Sequence, residues 1–176
     1  MALVERVGEA FELGEQLTVV GRRLAVGDVA PEFELEHFDG SAIATVRLAD
    51  SAGSPRLLNV VNSLDTPVCH VETRRWEELL PRMPQGTRVY TVSMDLPFAQ
   101  ARWANEQGVR HQALSAHKSE RFGQDYGVLV KEWRLLQRAV FVIDRRGRIA
   151  HAEYVADQMA EPDYEAALAA AATAAG

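Results

Sequence analysis

The chain of 176 residues carries a single cysteine, Cys69, which excludes a disulfide within the chain. That leaves Cys69 as buried filler, a metal ligand with non-sulfur partners, or a reactive thiol. There is no excess of positive charge. Nineteen Lys plus Arg stand against twenty-five Asp plus Glu, a net charge of −6, which leaves no cationic surface to neutralise a phosphate backbone and argues against a nucleic-acid partner. No apolar run approaches the roughly 20 residues that cross a bilayer. The first ten residues, MALVERVGEA, lack a basic segment followed by an apolar one. A cytoplasmic protein without membrane contact is expected. The motifs GxGxxG, GxxxxGK[ST], HExxH, GxSxG and CxxC are all missing, which removes most of the support for nucleotide-dependent and zinc-protease chemistry. The five histidines, His37, His70, His111, His117 and His151, form no ligand spacing with Cys69, so neither a metal nor a cofactor is expected.

What is present describes an ordinary globular chain, 47% hydrophobic and 25% charged. Its length suits one domain over 1–176 with a core that needs no staples. Apolar residues at 10–13 and 16–20 flank a turn at Gly14-Glu15 and predict an N-terminal β-hairpin, about 9–21. In GDVAPEFELEHFDG, Phe33 and Leu35 alternate with acids, and Asp39-Gly40 supplies a turn. Leu57, Leu58, Val60 and Val61 form a run of the kind buried on both faces of a parallel sheet. Residues 67–80 show helical spacing through Val68, Val71, Trp76, Leu79 and Leu80. A strand over Arg88–Ser93 precedes a helix from Pro97 to Gly108 with Asp95 as its cap, then a strand near Gln112–Ser115 and a brief helix over 119–126. Arg138–Asp144 and Arg148–Val155 pair as a hairpin, and a last helix begins near Glu161-Pro162. The order of elements predicts an α/β fold with a mixed sheet flanked by helices, a thioredoxin-like arrangement.

The segment LLNVVNSLDTPVCHVETRRW places a turn after a central strand and before a helix, with Thr66 at the N-cap and Pro67 at the first helical position. Cys69 then sits in the first turn, where amides lack helical acceptors and the macrodipole favours an anion on the sulfur. Thr66 and Cys69 are three apart, so hydroxyl and sulfur share a face and can meet one small oxyanion or peroxide. The plainer alternatives are that Cys69 is a small buried apolar residue and Thr66 only a cap.

SLDTPVC followed by ETRRW, SMDLPFAQARW, RAVFVID and EPDYEAAL resembles the thiol peroxidase branch of the peroxiredoxins, and GDVAPEFELEHFDG resembles the opening segment of peroxiredoxins in general. The likeness runs from the hairpin to about Leu168. It implies a thioredoxin-fold peroxidase, usually a homodimer, with Cys69 as peroxidatic nucleophile, Thr66 as its TxxC partner and Arg138 as the active-site arginine. A strand-initial Arg138 can aim a planar fork of donors at a thiolate and a peroxide oxygen; otherwise it is a solvated strand-end arginine. Two positions depart from the family pattern. Asn62 stands where a proline is usual, and Ala104 stands where a resolving cysteine is sought. The expected function is thiol-dependent reduction of hydrogen peroxide or organic hydroperoxides, with an external thiol, a small molecule or a thioredoxin-type protein, reducing the sulfenic acid. A non-enzymatic peroxide sensor, or a partner-binding scaffold with an inert Cys69, is the alternative.

Overall fold

The computed structural model describes residues 2–176; Met1, where the sequence reading starts its domain, lies outside them. β1 (Glu5–Glu12) and β2 (Glu15–Val20) open the chain as an antiparallel hairpin that begins earlier than the expected residue 9. Gly8 adopts φ +72° and the register shifts between Val7 and Ala10, a bulge in the part of β1 that precedes the apolar residues predicting the hairpin. The turn itself is Leu13-Gly14, both at positive φ, one residue before the predicted pair. β3 (Glu34–Phe38) and β4 (Ile43–Arg47) form a second hairpin around Asp39, whose carboxylate accepts the Ser41 and Ala42 amides at 2.7 and 2.8 Å.

The central strands are β5 (Arg56–Val60), β6 (Arg88–Ser93) and β7 (Gln112–Ser115), all parallel. β10 (Ala139–Ile143) and β11 (Ile149–Tyr154) make the predicted C-terminal hairpin, and β10 pairs antiparallel with β5. The main sheet runs β11-β10-β5-β6-β7-β3-β4 and is therefore mixed, as expected. A smaller sheet joins the N-terminal hairpin to β8 (Leu129–Val130) and β9 (Leu135–Leu136). These two-residue strands are too short to carry a readable period.

Helices α1 (Pro67–Leu79), α2 (Pro97–Gln107) and α4 (Tyr164–Ala174) fall close to their predicted spans, whereas α3 (Arg121–Asp125) is shorter than 119–126. α4 starts after Pro162 because Asp163 caps it, accepting the Ala166 amide at 3.0 Å. One core layer packs α1 and α4 on the sheet through Leu57, Trp76, Leu79, Val140, Val142 and Leu168. The opposite layer joins Leu58, Val60, Val92, Phe122, Tyr126 and Phe141.

The stripe of α1 corrects the sequence reading. Val71, expected inward, is 52% exposed, while the buried face is Cys69, Glu72, Thr73, Trp76 and Leu79. Two polar residues therefore occupy the middle of a core-facing helix surface, and both have partners across it. No helix among the described residues is long and apolar enough to cross a membrane.

Candidate active site

The turn that delivers Cys69 is pinned from below by Asp95. Its carboxylate accepts Ser63 Oγ–H at 2.7 Å, the Leu64 amide at 2.9 Å and Ser93 Oγ–H at 2.7 Å. Asp95 is thus an anchor for the loop before α1, not the cap of α2; the N-cap there is Leu96. Thr66 holds the N-cap position of α1, with Pro67 after it, but its hydroxyl bends back to donate to the Ser63 carbonyl at 2.9 Å and makes no cap bond. The amides of the first turn are left without a side-chain cap, and the hydroxyl oxygen retains its lone pairs.

Cys69 is completely buried, in a small cluster with Val61, Leu64, Trp103 and Val109 against which Ala104 packs. The position inspected for a resolving cysteine thus belongs to the same cluster as the sulfur. Cys69 Sγ–H donates to Asn62 Oδ1 at 3.8 Å. The same oxygen accepts Arg138 Nη2–H at 3.4 Å, so Asn62 joins two of the three predicted site residues.

Arg138 directly precedes β10 and is buried, not solvated. Its Nη1 is paired with the Glu72 carboxylate, its Nη2 donates to the Gln158 carbonyl at 2.9 Å, and its main-chain N–H donates to Gln158 Oε1 at 2.9 Å. Burial opposes its charge, but the Glu72 carboxylate and then the Cys69 sulfur outweigh that cost and hold the guanidinium above the ordinary arginine range. Glu72, wholly enclosed, is pushed up to about 8 by desolvation, against the pull of Arg138 and with Glu161 and Glu153 adding to the rise. Its Oε1 and the Arg138 Nε have no hydrogen-bond partner. The sulfur therefore lies beside a cation whose fork is locked by packing and by three neighbouring groups, the Glu72 carboxylate, Asn62 Oδ1 and the Gln158 carbonyl.

Glu72 and Gln158 were not anticipated. Glu72 carried a faint signal, since it lies three residues from Cys69 and so shares its helix face. Gln158 sits in the irregular segment after β11 and offers no local pattern. The histidines engage elsewhere. His111 bridges Glu77 and Thr91 at 2.8 Å each, and His117 meets Glu36 at 2.8 Å. Among the described residues no group of three His, Cys, Asp or Glu side chains could hold a metal ion.

Residues 26–152 match the AhpC/TSA family. The chain is 43% identical over 159 residues to a thiol peroxidase of Streptococcus sanguinis, covering 90% of this chain and 95% of that one. It is 41% identical to a thiol peroxidase of Bacillus subtilis, covering 90% and 93%. A peroxiredoxin-like protein from Aquifex aeolicus superposes with a TM-score of 0.86 at 31% identity over 99% of both chains.

Proposed function

Because the chain belongs to the AhpC/TSA family, with thiol peroxidases among its relatives, we propose that it reduces hydroperoxides through Cys69, assisted by Arg138 and Thr66. The fold is the thioredoxin-like one of the peroxiredoxins, the activity is that of a thiol peroxidase, and the single cysteine makes the mechanism a one-cysteine cycle. The Cys69 thiolate attacks the outer oxygen of the peroxide. A sulfur–oxygen bond forms as the O–O bond breaks; the sulfur gives up two electrons and becomes a sulfenic acid, and the departing oxygen takes a proton. Arg138 carries donors to the charge that develops on that oxygen, and the first turn of α1 favours the anionic sulfur before attack. Thr66, whose proton is engaged by Ser63, accepts from the O–H of the peroxide. An external thiol then attacks the oxidised sulfur and expels its oxygen as water, and a second thiol splits the mixed disulfide.

The observation that carries this reading is the shared contact at Asn62 Oδ1, which brings the only thiol and a buried guanidinium to one point. The same proposal places the protein in the cytoplasm, where thiol reductants are maintained. It also makes the protein a homodimer. Leu96 and Phe98, each more than half exposed, with Phe98 packed on Phe38 at 5.1 Å, are the apolar surface a second copy would cover. Intact-mass spectrometry after one equivalent of hydrogen peroxide, with and without a sulfenic-acid trap, tests the chemistry. One oxygen or one trap adduct on Cys69 is expected; an unchanged mass would sink the assignment.

A further inference from the structure

The side-chain amide of Asn62 cannot turn over, because each end meets partners of fixed kind. Its Nδ2 donates to the Leu136 carbonyl at 2.6 Å and to Gln158 Oε1 at 3.0 Å. Gln158 is fixed in turn, since its Oε1 also accepts the Arg138 amide and its Nε2 donates to the carbonyls of Val155 and Ala156 at 2.7 and 3.1 Å. Asn62 Oδ1 faces Arg138 Nη2, which only donates. The network therefore decides which end is oxygen, and the oxygen is what faces Cys69 Sγ.

We propose that Asn62 is a positioning residue that favours the forms of Cys69 carrying a hydrogen, thiol and sulfenic acid, over thiolate and sulfenate, and so preserves the sulfenic acid in a chain with no second thiol. This rests on Cys69 being the sulfur that peroxide oxidises. A carbonyl oxygen stabilises an S–H or S–O–H beside it and repels S⁻ or S–O⁻. The second oxidation requires the sulfenate. It attacks another peroxide, a second S–O bond forms as the O–O bond breaks, the sulfur loses two more electrons to become sulfinic acid, and the departing oxygen takes a proton. Reduction by an external thiol proceeds from the sulfenic acid itself, with its oxygen leaving as water. Asn62 therefore slows both peroxide steps and leaves the rescue step open. The exchange is a slower first oxidation for a longer-lived, still reducible product.

Other charges bear on the same sulfur. Arg138 reaches it from the segment before β10, and Glu72 lies one turn further along α1, with Glu153 on β11 and Glu161 beyond it acting on Glu72. Asp95 holds the preceding loop, and His70 packs edge-on against Trp103 at 5.4 Å. None of these supplies an acceptor oxygen recorded against Sγ, which is the property assigned to Asn62.

The test compares the wild-type protein with Asn62→Ala and Asn62→Leu, after thermal melts confirm that each is folded. The pH profile of peroxide consumption is recorded, together with the ratio of sulfinic to trapped sulfenic Cys69 by intact mass. Both variants are expected to move the profile to lower pH and to raise the sulfinic fraction, each by roughly two- to tenfold, the equilibrium weight of one hydrogen bond. An unchanged profile and ratio in a folded variant would overturn the proposal. Should neither variant fold, the same readouts are taken on the isosteric Asn62→Asp, whose carboxylate sets a stronger acceptor beside Sγ: a profile moved to higher pH and a lower sulfinic fraction support the proposal, and unchanged values refute it. A wild-type Cys69 that takes neither oxygen nor trap would overturn the assignment of the reactive sulfur itself, and this proposal with it.

Discussion

Strand β5 is buried along its whole length, yet its two faces meet different surroundings. On one side Leu58 and Val60 join an apolar layer in which Phe122 and Tyr126 stack at 4.5 Å and Tyr126 meets Phe141 edge-on at 5.3 Å. On the other side Leu57 is followed by Asn59, which accepts Trp76 Nε1–H at 3.1 Å and donates to Thr91 at 3.1 Å, and the Glu72–Arg138 pair belongs to the same α1-facing layer. The apolar face gains stability in proportion to area removed from water and demands no particular direction of any atom. The polar face demands direction everywhere, and a partner removed there leaves a desolvated group behind. The proposed chemistry lies on the face where geometry is enforced, and bulk stability on the face where it is not.

Breaking either side tests that division. Cys69→Ser should remove peroxide consumption down to the uncatalysed background while circular dichroism and melting stay close to wild type, because oxygen is a far weaker nucleophile of similar size; consumption at the wild-type rate would refute it. Phe141→Ala, on the apolar face, should cost about 3–5 kcal/mol in urea unfolding, yet the protein that remains folded should oxidise at nearly the wild-type rate constant. Arg138→Lys keeps the charge but loses the fork, and stopped-flow measurement should find the peroxide step slower by on the order of 100-fold. Equal rates would remove Arg138 from the mechanism.

A further effect concerns pH. Burial lifts Glu72 from 4.5 to about 8, so the folded chain keeps a proton there that the unfolded chain releases. The associated stability is fully present below about 4.5, is lost as pH rises, and is gone above about 8. Glu72→Gln should flatten that decline. Parallel slopes for the two proteins in denaturant unfolding across this range would show that Glu72 does not bind the proton.

The sequence made the strand–helix order legible because β5, β10 and the C-terminal hairpin carry dense apolar runs and strong turn residues. It failed where tertiary partners override local pattern. Val71 looked like core, but the rotation of α1 is set by Glu72 meeting Arg138, sixty-six residues away in the chain, and by Trp76 meeting Asn59. Asp95 looked like a cap because helix caps and loop anchors use the same side chain. Thr66 and Cys69 stand out in the sequence through their place at a helix start, and Arg138 through the family resemblance of RAVFVID. Gln158, three of whose bonds hold Asn62 and Arg138 while two more fix its own amide, lies in a segment without periodicity and gave no sign of itself.

The complete enclosure of Cys69 also sets a kinetic limit. A sulfur with no exposed surface reacts only during excursions in which the first turn of α1 or its neighbours part, so opening and attack are sequential events. At low oxidant the observed rate is their product and discriminates between peroxides. At high oxidant it levels off at the opening rate, the same plateau for a compact peroxide as for a bulky one, and a thiol-alkylating reagent should reach that plateau too. The ceiling on the oxidation step then belongs to the motion of the fold, whichever molecule waits outside.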